Sequence, residues 1–503
     1  MWFRWYRSYR RLYGRLVLFP LVLAGTFPLL AVALAADVHA AIALAAKDVL
    51  RAGPLSPEVR YLWVHHTDPR TKKLACQVLF AHVNSLSREP DIVPPAVVLE
   101  DGSVWRFPNI REEDYAKVAL IRLVCRDYRW DRTEFFHLIE QDAFLHHPAL
   151  LDGEKGYPLA PWLAETEADR QNLATLVNAT QSQVPMLRAD NFFWQTAIQE
   201  DRIVGYYGLL GFKDQRSFEA AVGFDRRASQ AFVVELLAAV DLSGVTIQPR
   251  RIERDEKIAG AFWQSFDNRK ALGNRNPLRT LNDEFRHDAS EFYAHLANGL
   301  WANFLANAQG VAQNSAPDIV GRDSRTHNND GRIHVYLGCV RCHKNAGLHD
   351  IRDAVRRRAK FPTFPQSPDY RAAVELRQKY LRRLDPFMAR DRERYTTALA
   401  ECNGLTPEQH SGNLEDYYAY VDSPVGIDRA ADDLGTTPVK LLTALREQAD
   451  REKNRPGADV VLGAFLSVPP DPIPYDQWLE AVPLAHLALR GLSQWPQTKE
   501  QEK

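Results

Sequence analysis

The chain has 503 residues, 45% of them apolar, enough to bury one large core or two to three smaller ones, which excludes a disordered chain. Lysine and arginine number 63 against 64 aspartates and glutamates, for a formal net charge of -1, so no general electrostatic attraction to nucleic acid is expected. Five cysteines (Cys76, Cys125, Cys339, Cys342 and Cys402) are too few for a disulfide scaffold; outside the pair at 339 and 342 they read as buried thiols, or as one Cys76–Cys125 bridge.

The first segment, "MWFRWYRSYRRLYGR", is rich in arginine and has no acid, and the uncharged "LVLFPLVLAGTFPLLAVALA" follows it. A basic stretch before an apolar one predicts a signal peptide or an N-terminal membrane anchor over residues 1–36, with small residues at Ala33, Ala35 and Ala36 suited to processing. At about 1.5 Å per residue the apolar run is long enough to cross a bilayer as a helix, although Pro20 and Pro28 interrupt it. The expected location of the body is the periplasm or another extracytoplasmic compartment, with association to the membrane if the segment is kept.

Residues 38–50 read as helix, and "SPEVRYLWVHHTDPRTKKLACQVLFAHVNSLSRE" as a turn and then a helix. "DIVPPAVVLEDGSVWRFPNI" predicts a strand with a tight turn at "EDGS", and "VALIRLVCRDYRW" a further strand. Helix is expected again over 131–240, then shorter alternating pieces in "GVTIQPRRIERDEK" and "GAFWQSFDN". "EFYAHLANGLWANFLANAQG" fits either strands with one hydrophobic face or one irregular helix. Residues 311–331 read as loop, 351–400 as charged helix, 401–440 as a stretch containing turns, 441–450 as helix, and the proline-rich tail loses its pattern after about 455. The fold class predicted is mainly α with a small β component: an α-rich body over 37–310, a cytochrome c-like haem-attachment segment with following helices over 311–400, and a helical, proline-rich region over 401–503.

The chemistry concentrates in "HVYLGCVRCHKNAGLHD", residues 334–350. Cys339, Cys342 and His343 have the spacing by which two thiols add to the vinyl groups of a haem while the following histidine reaches the iron, so they predict one covalent haem c with His343 as iron ligand. A structural zinc with His349, or a redox dithiol, fits the same residues less well. Met388, 45 residues after His343, is the candidate second iron ligand, with His349, His334, His295 and His287 as substitutes. His287, Asp288 and Glu291 are the nearest set to a distal acid–base group. Between 344 and 400 there are fourteen lysines and arginines against seven acids, an excess that would suit an acidic redox partner.

"YLWVHHTDPRTKKLACQVLFAHVNSLSREPDIVPP", "PMLRADNFFWQTA" and "FRHDASEFYAHLANGLWANFLANAQGVAQNSAPDIVG", leading into "NNDGRIHVYLGCVRCH", together resemble a group of large exported planctomycete proteins with a single c-type haem motif. The resemblance spans about residues 55–350 and implies an exported haem protein without supplying a substrate. The expected function is electron transfer to or from a partner protein, the haem being installed by cytochrome c maturation machinery; the alternative is a peroxidase-like haem oxidoreductase.

Overall fold

The computed structural model describes residues 38–132, 166–182, 184–198, 205–226, 236–240, 250–270, 272–276, 285–316, 332–344, 346–348, 385–451 and 463–491. Short branched and aromatic runs, which pack well on a pleated surface, build the first sheet: Val59–Trp63 (β1), Ala96–Leu99 (β2), Val104–Arg106 (β3), Val118–Val124 (β4) and Met186–Arg188 (β5). Its order is β3-β2-β4-β1-β5, with β5 parallel to β1 and the other pairs antiparallel. The "EDGS" turn joins β2 to β3 as expected, closed by Gly102 N–H donating to Leu99 O at 2.8 Å, with Gly102 at φ +80.

Helices Val38–Arg51 (α1), Pro69–Ser85 (α2) and Glu167–Thr180 (α3) accompany this sheet. Asp68 starts α2 by accepting Thr71 N–H at 2.9 Å, with Pro69 in the first turn, where its missing N–H costs nothing. The second half of α2, including Cys76, is almost wholly buried. All five cysteines are free thiols, so the Cys76–Cys125 bridge does not form.

The second sheet is an antiparallel meander of Leu236–Val240 (β6), Arg250–Lys257 (β7), Gly260–Asp267 (β8), Ala289–His295 (β9) and Trp301–Asn307 (β10). Its two faces differ. Phe262, Phe292 and Phe304 lie on one face with Phe218, which belongs to Gln215–Ala221 (α6); Phe218 stacks on Phe304 at 5.0 Å, and Phe224 on Phe262 at 3.9 Å. This α6 follows two shorter helices, Ala189–Phe193 (α4) and Tyr206–Leu210 (α5). Arg254, Trp263, Tyr293, His295, Trp301 and Asn303 share the opposite face, by the pairing register. That face receives Leu337–Cys342 (α7) and Asp385–Asn403 (α8). Pro407–Asp422 (α9), Ile427–Asp433 (α10), Pro438–Arg451 (α11) and Tyr475–Leu489 (α12) follow.

The expected fold class is corrected by these elements. Two five-stranded sheets carry the described body, which is an α+β arrangement and not a helical protein with a small β component. Residues 332–348 do not form a cytochrome c-like segment; α7 is a short helix docked on the second sheet. Part of the helix expected over 131–240 is strand, in β5 and β6, and between the turns expected over 401–440 lie α9 and α10.

Two arginines are buried completely, and each joins a sheet to a C-terminal helix. Arg188 at the end of β5 donates to Asp190 Oδ1 at 3.0 Å and to Asp433 Oδ1 of α10 at 3.2 Å. Burial, the largest single influence, would raise both carboxyls, but Arg188 together with His65 and Arg429 overcomes it and holds both below the ordinary carboxylate range. Arg254 of β7 donates to both oxygens of Asp391 on α8, at 2.9 and 2.8 Å, and Trp263 Nε1 donates to the same carboxylate at 2.9 Å.

Replacing Asp391→Ala removes the bidentate partner of a buried guanidinium and is expected to cost about 3–5 kcal/mol. The urea midpoint should fall by that energy divided by the slope, with the slope itself unchanged; a loss under about 1 kcal/mol would show that the sheet and α8 do not depend on this pair. Four buried histidines set the acid response. Burial lowers His82 to about 3 and His410 to about 4, and lowers His66 and His295 in the same direction. The unfolded chain takes up these protons below about pH 6.5 and the folded chain does so only well below that, so stability is complete above about 6.5 and declines as pH falls. Asp267, which burial raises to about 6, takes up its proton in the same interval and opposes the histidines, so urea midpoints should drop between about pH 7 and pH 5 and do so more steeply in Asp267→Asn; a flat profile in Asp267→Asn would refute the assignment.

Candidate functional site

Asn314, Ser315 and Ala316 pair with Ile333, His334 and Val335, which delivers the chain to the second sheet. Tyr336 then turns it into α7 with φ +67, a conformation a bulky residue adopts only when its surroundings fix it. Its ring is held against Tyr206 at 5.0 Å and His82 at 4.8 Å, and its hydroxyl shares a 3.1 Å hydrogen bond with Ser85. Gly338 follows because a Cβ there would sit 3.0 Å from Ile333. After α7 the chain bends back, and Gly347, at φ +79, lies so close to Trp301 that a Cβ would come within 1.9 Å of Nε1. Trp301 Nε1 donates to Ala346 O at 3.3 Å.

The spacing that singled out Cys339, Cys342 and His343 thus falls on one helical turn. Cys339 is 1% exposed and lies beside Tyr293; burial pushes its thiol well up, the opposite of what a nucleophilic or metal-binding thiolate needs. Cys342 is half-buried. The His343 ring stacks on Tyr293 at 4.1 Å, with Nε2 3.7 Å from Glu291 Oε1. Of His287, Asp288 and Glu291, Glu291 is the one paired with His343; His287 packs edge-on against Phe266 at 4.9 Å, and Asp288 is ion-paired to Arg275. His295 has both ring nitrogens engaged, Nδ1 accepting from Ala261 N–H at 3.0 Å and Nε2 with Asp391 O at 3.1 Å. His334 is buried, and His349 lies outside the described residues.

A cavity of about 30 Å3 opens beside His343, room for two or three waters at roughly 10–15 Å3 each. Tyr293, Trp301 and Asn303 of the second sheet form its floor; Ala81 and Ser85 of α2, Tyr395 and Leu399 of α8, His410 of α9, and the Tyr336–Gly347 segment close it. Met388 is buried on α8 but does not line the cavity; Tyr395, two turns further along the same helix, does. Asn303, 1% exposed, has an Oδ1 that accepts no hydrogen bond from the described residues. His410 is held neutral by burial, and burial raises the hydroxyls of Tyr293, Tyr336 and Tyr395. Sequence reasoning missed Asn303, Trp301 and His410, because nothing in their spacing links them; "GLWANFL" gave at most a strand.

These observations correct the haem reading. The residues do not fit a macrocycle: the space beside His343 holds a few water-sized atoms, its ring face is covered by Tyr293, and Cys339 is buried against the same tyrosine. Among the described residues no group of three or more His, Cys, Asp or Glu side chains is placed to hold a metal ion. Covalent haem c and its iron, electron transfer, and the peroxidase-like alternative lose their basis with it. The acidic redox partner and the maturation machinery were inferred from the haem and lose theirs too. Among the described residues no helix is long and apolar enough to cross a membrane, and the basic and apolar leader at 1–36 lies outside those residues.

Compared with known proteins, the chain matches no family model, no curated protein and no solved structure. The resemblance to exported planctomycete proteins with a c-type haem motif is therefore corrected as well: neither the cavity's geometry nor any of these comparisons supports it.

Proposed function

We propose that this chain is a binding protein for a small neutral molecule, taken up in the cavity beside His343, and that it works outside the cytoplasm. The observation that carries the reading is the cavity's lining: four aromatic side chains, with Asn303, Ser85 and His410 as the polar groups among them. Ligand sites are built in this way, apolar for affinity with a few polar atoms for orientation. Cys339, Cys342 and His343 belong to this site as its ledge. Cys339 seats α7 on Tyr293, Val340 and His343 supply one wall, and Cys342 lies beside them at the half-exposed end of the turn. Placement outside the cytoplasm rests on the arginine-rich segment and the uncharged run from 16 to 35.

Trp301 offers a direct readout, since its indole N–H closes the cavity against Ala346. Titration with acetone, isopropanol and acetamide should shift the Trp301 indole N–H resonance, assigned with Trp301→Phe, and the shift should saturate for at least one probe. Ala81→Leu fills the space without touching a polar group and should abolish saturation; the added bulk is expected to cost about 1–3 kcal/mol. Linear, unsaturable shifts with all three probes, the same in Ala81→Leu, would sink the binding reading. The placement is checked separately by fusing residues 1–60 to a reporter active only after translocation; a reporter that stays silent and cytoplasmic counts against it.

A further inference from the structure

We infer, resting on the reading that this cavity binds a small neutral molecule, that its ligand is a small primary carboxamide recognised through Asn303. Asn303 Oδ1 is buried and accepts no hydrogen bond from the described residues, and its side chain lines the cavity, so a donor there would satisfy it. Leaving such an acceptor empty costs the full desolvation of the group, which makes a donor-bearing ligand more favourable than an apolar one of equal shape. A carboxamide carries N–H donors and a carbonyl acceptor in one plane. It therefore complements the Asn303 amide whichever way that group is turned.

Charge and size narrow the class. The tyrosines stay neutral, and burial lowers His410 to about 4, so it too is uncharged at neutral pH. At the rim, His343 already has Glu291 Oε1 at 3.7 Å to answer any charge it takes. A carboxylate entering here would bring an uncompensated charge and no donor for Asn303. About 30 Å3 of space, room for two or three waters, limits the ligand to the smallest members of the class. For a ligand of that size, affinities in about the millimolar range are expected.

Acetamide, acetone and acetate have nearly the same shape and differ in the two properties at issue. Titrations of the full chain followed at the Trp301 indole N–H should give acetamide about fivefold to tenfold tighter than acetone, the equivalent of one net hydrogen bond, and acetate weaker than either. In Asn303→Leu, close to Asn in shape but without the acceptor, the acetamide preference should fall to about unity. If that variant does not fold, the wild-type ranking decides alone. Acetone equal to acetamide would overturn the carboxamide class and leave the binding reading standing. Acetate tightest would overturn it in favour of a charged ligand. No saturable binding of any of the three would overturn both.

Discussion

A guanidinium taken wholly out of water must be answered by a carboxylate, and the architecture is arranged around two instances of this constraint. Arg188 ends a strand of the first sheet and Arg254 lies in a strand of the second; both are 0% exposed. In each case a carboxylate comes from a later helix: Asp433 on α10 for Arg188, Asp391 on α8 for Arg254. Arg188 has a local carboxylate in Asp190 as well, whereas Arg254 takes its buried carboxylate from α8, so the second sheet in particular makes the residues after 385 part of the frame and not an appendage to it. Aromatic N–H and O–H groups complete the arrangement, Trp478 Nε1 donating to Asp433 at 2.9 Å and Tyr475 to Asp190 at 3.1 Å. Partners of this kind make a buried pair tolerable, because they satisfy lone pairs that the arginine leaves over.

The same constraint forms the cavity. Once Asp391 is fixed on Arg254, the pitch of α8 places Tyr395 and Leu399 over the polar face of the second sheet. His410 arrives on α9, whose Tyr417 is tied to His66 across 3.2 Å. From the other side, α7 is wedged in by the strained turn at Tyr336, whose unfavourable backbone is held by rings packed on it and by Ser85. The walls thus belong to elements anchored elsewhere. They cannot move together to close the gap as a set of free side chains would.

How much of this was legible in the sequence depends on how many faces an element buries. The β2–β3 hairpin and β4 were readable because "EDGS" is strong turn chemistry and the flanking residues are branched. The β9–β10 hairpin was ambiguous for a physical reason: aromatic residues cover both faces of the second sheet, so the alternation that marks a half-buried strand is missing from "EFYAHLANGLWANFL". β1 went unseen because its five buried residues run directly into "HHTDP". For α9 a signal existed and was passed over: Thr406 and Gln409 form a capping box at the head of "PEQHSGNLEDYYAYVD". α12 was hidden by Pro483 inside it. At the site, the helical turn at 337–342 was legible and the chemistry was not. Spacing reports which side chains share a turn, whereas what Cys339 and His343 do is set by Tyr293, a residue of a distant strand.

Why a cavity persists on one face of the second sheet and not on the other follows from the shapes involved. On the Phe218 side, rings of one kind interlock with one another, Phe218 stacking on Phe304 and Phe224 on Phe262. On the opposite side Tyr293, Trp301 and Asn303 present groups of unlike size and polarity, and each ring already has a partner that fixes its direction: His343 for Tyr293, His295 for Trp301 at 3.7 Å. Filling the remaining space would require the Gly347 turn to move, and there even one added carbon would collide with Trp301. Well-packed interiors remove voids by side-chain adjustment, and here Tyr293 and Trp301 are already committed to His343 and His295. A buried acceptor left facing such a fixed space is the kind of feature that a ligand, or water in its place, resolves at least cost.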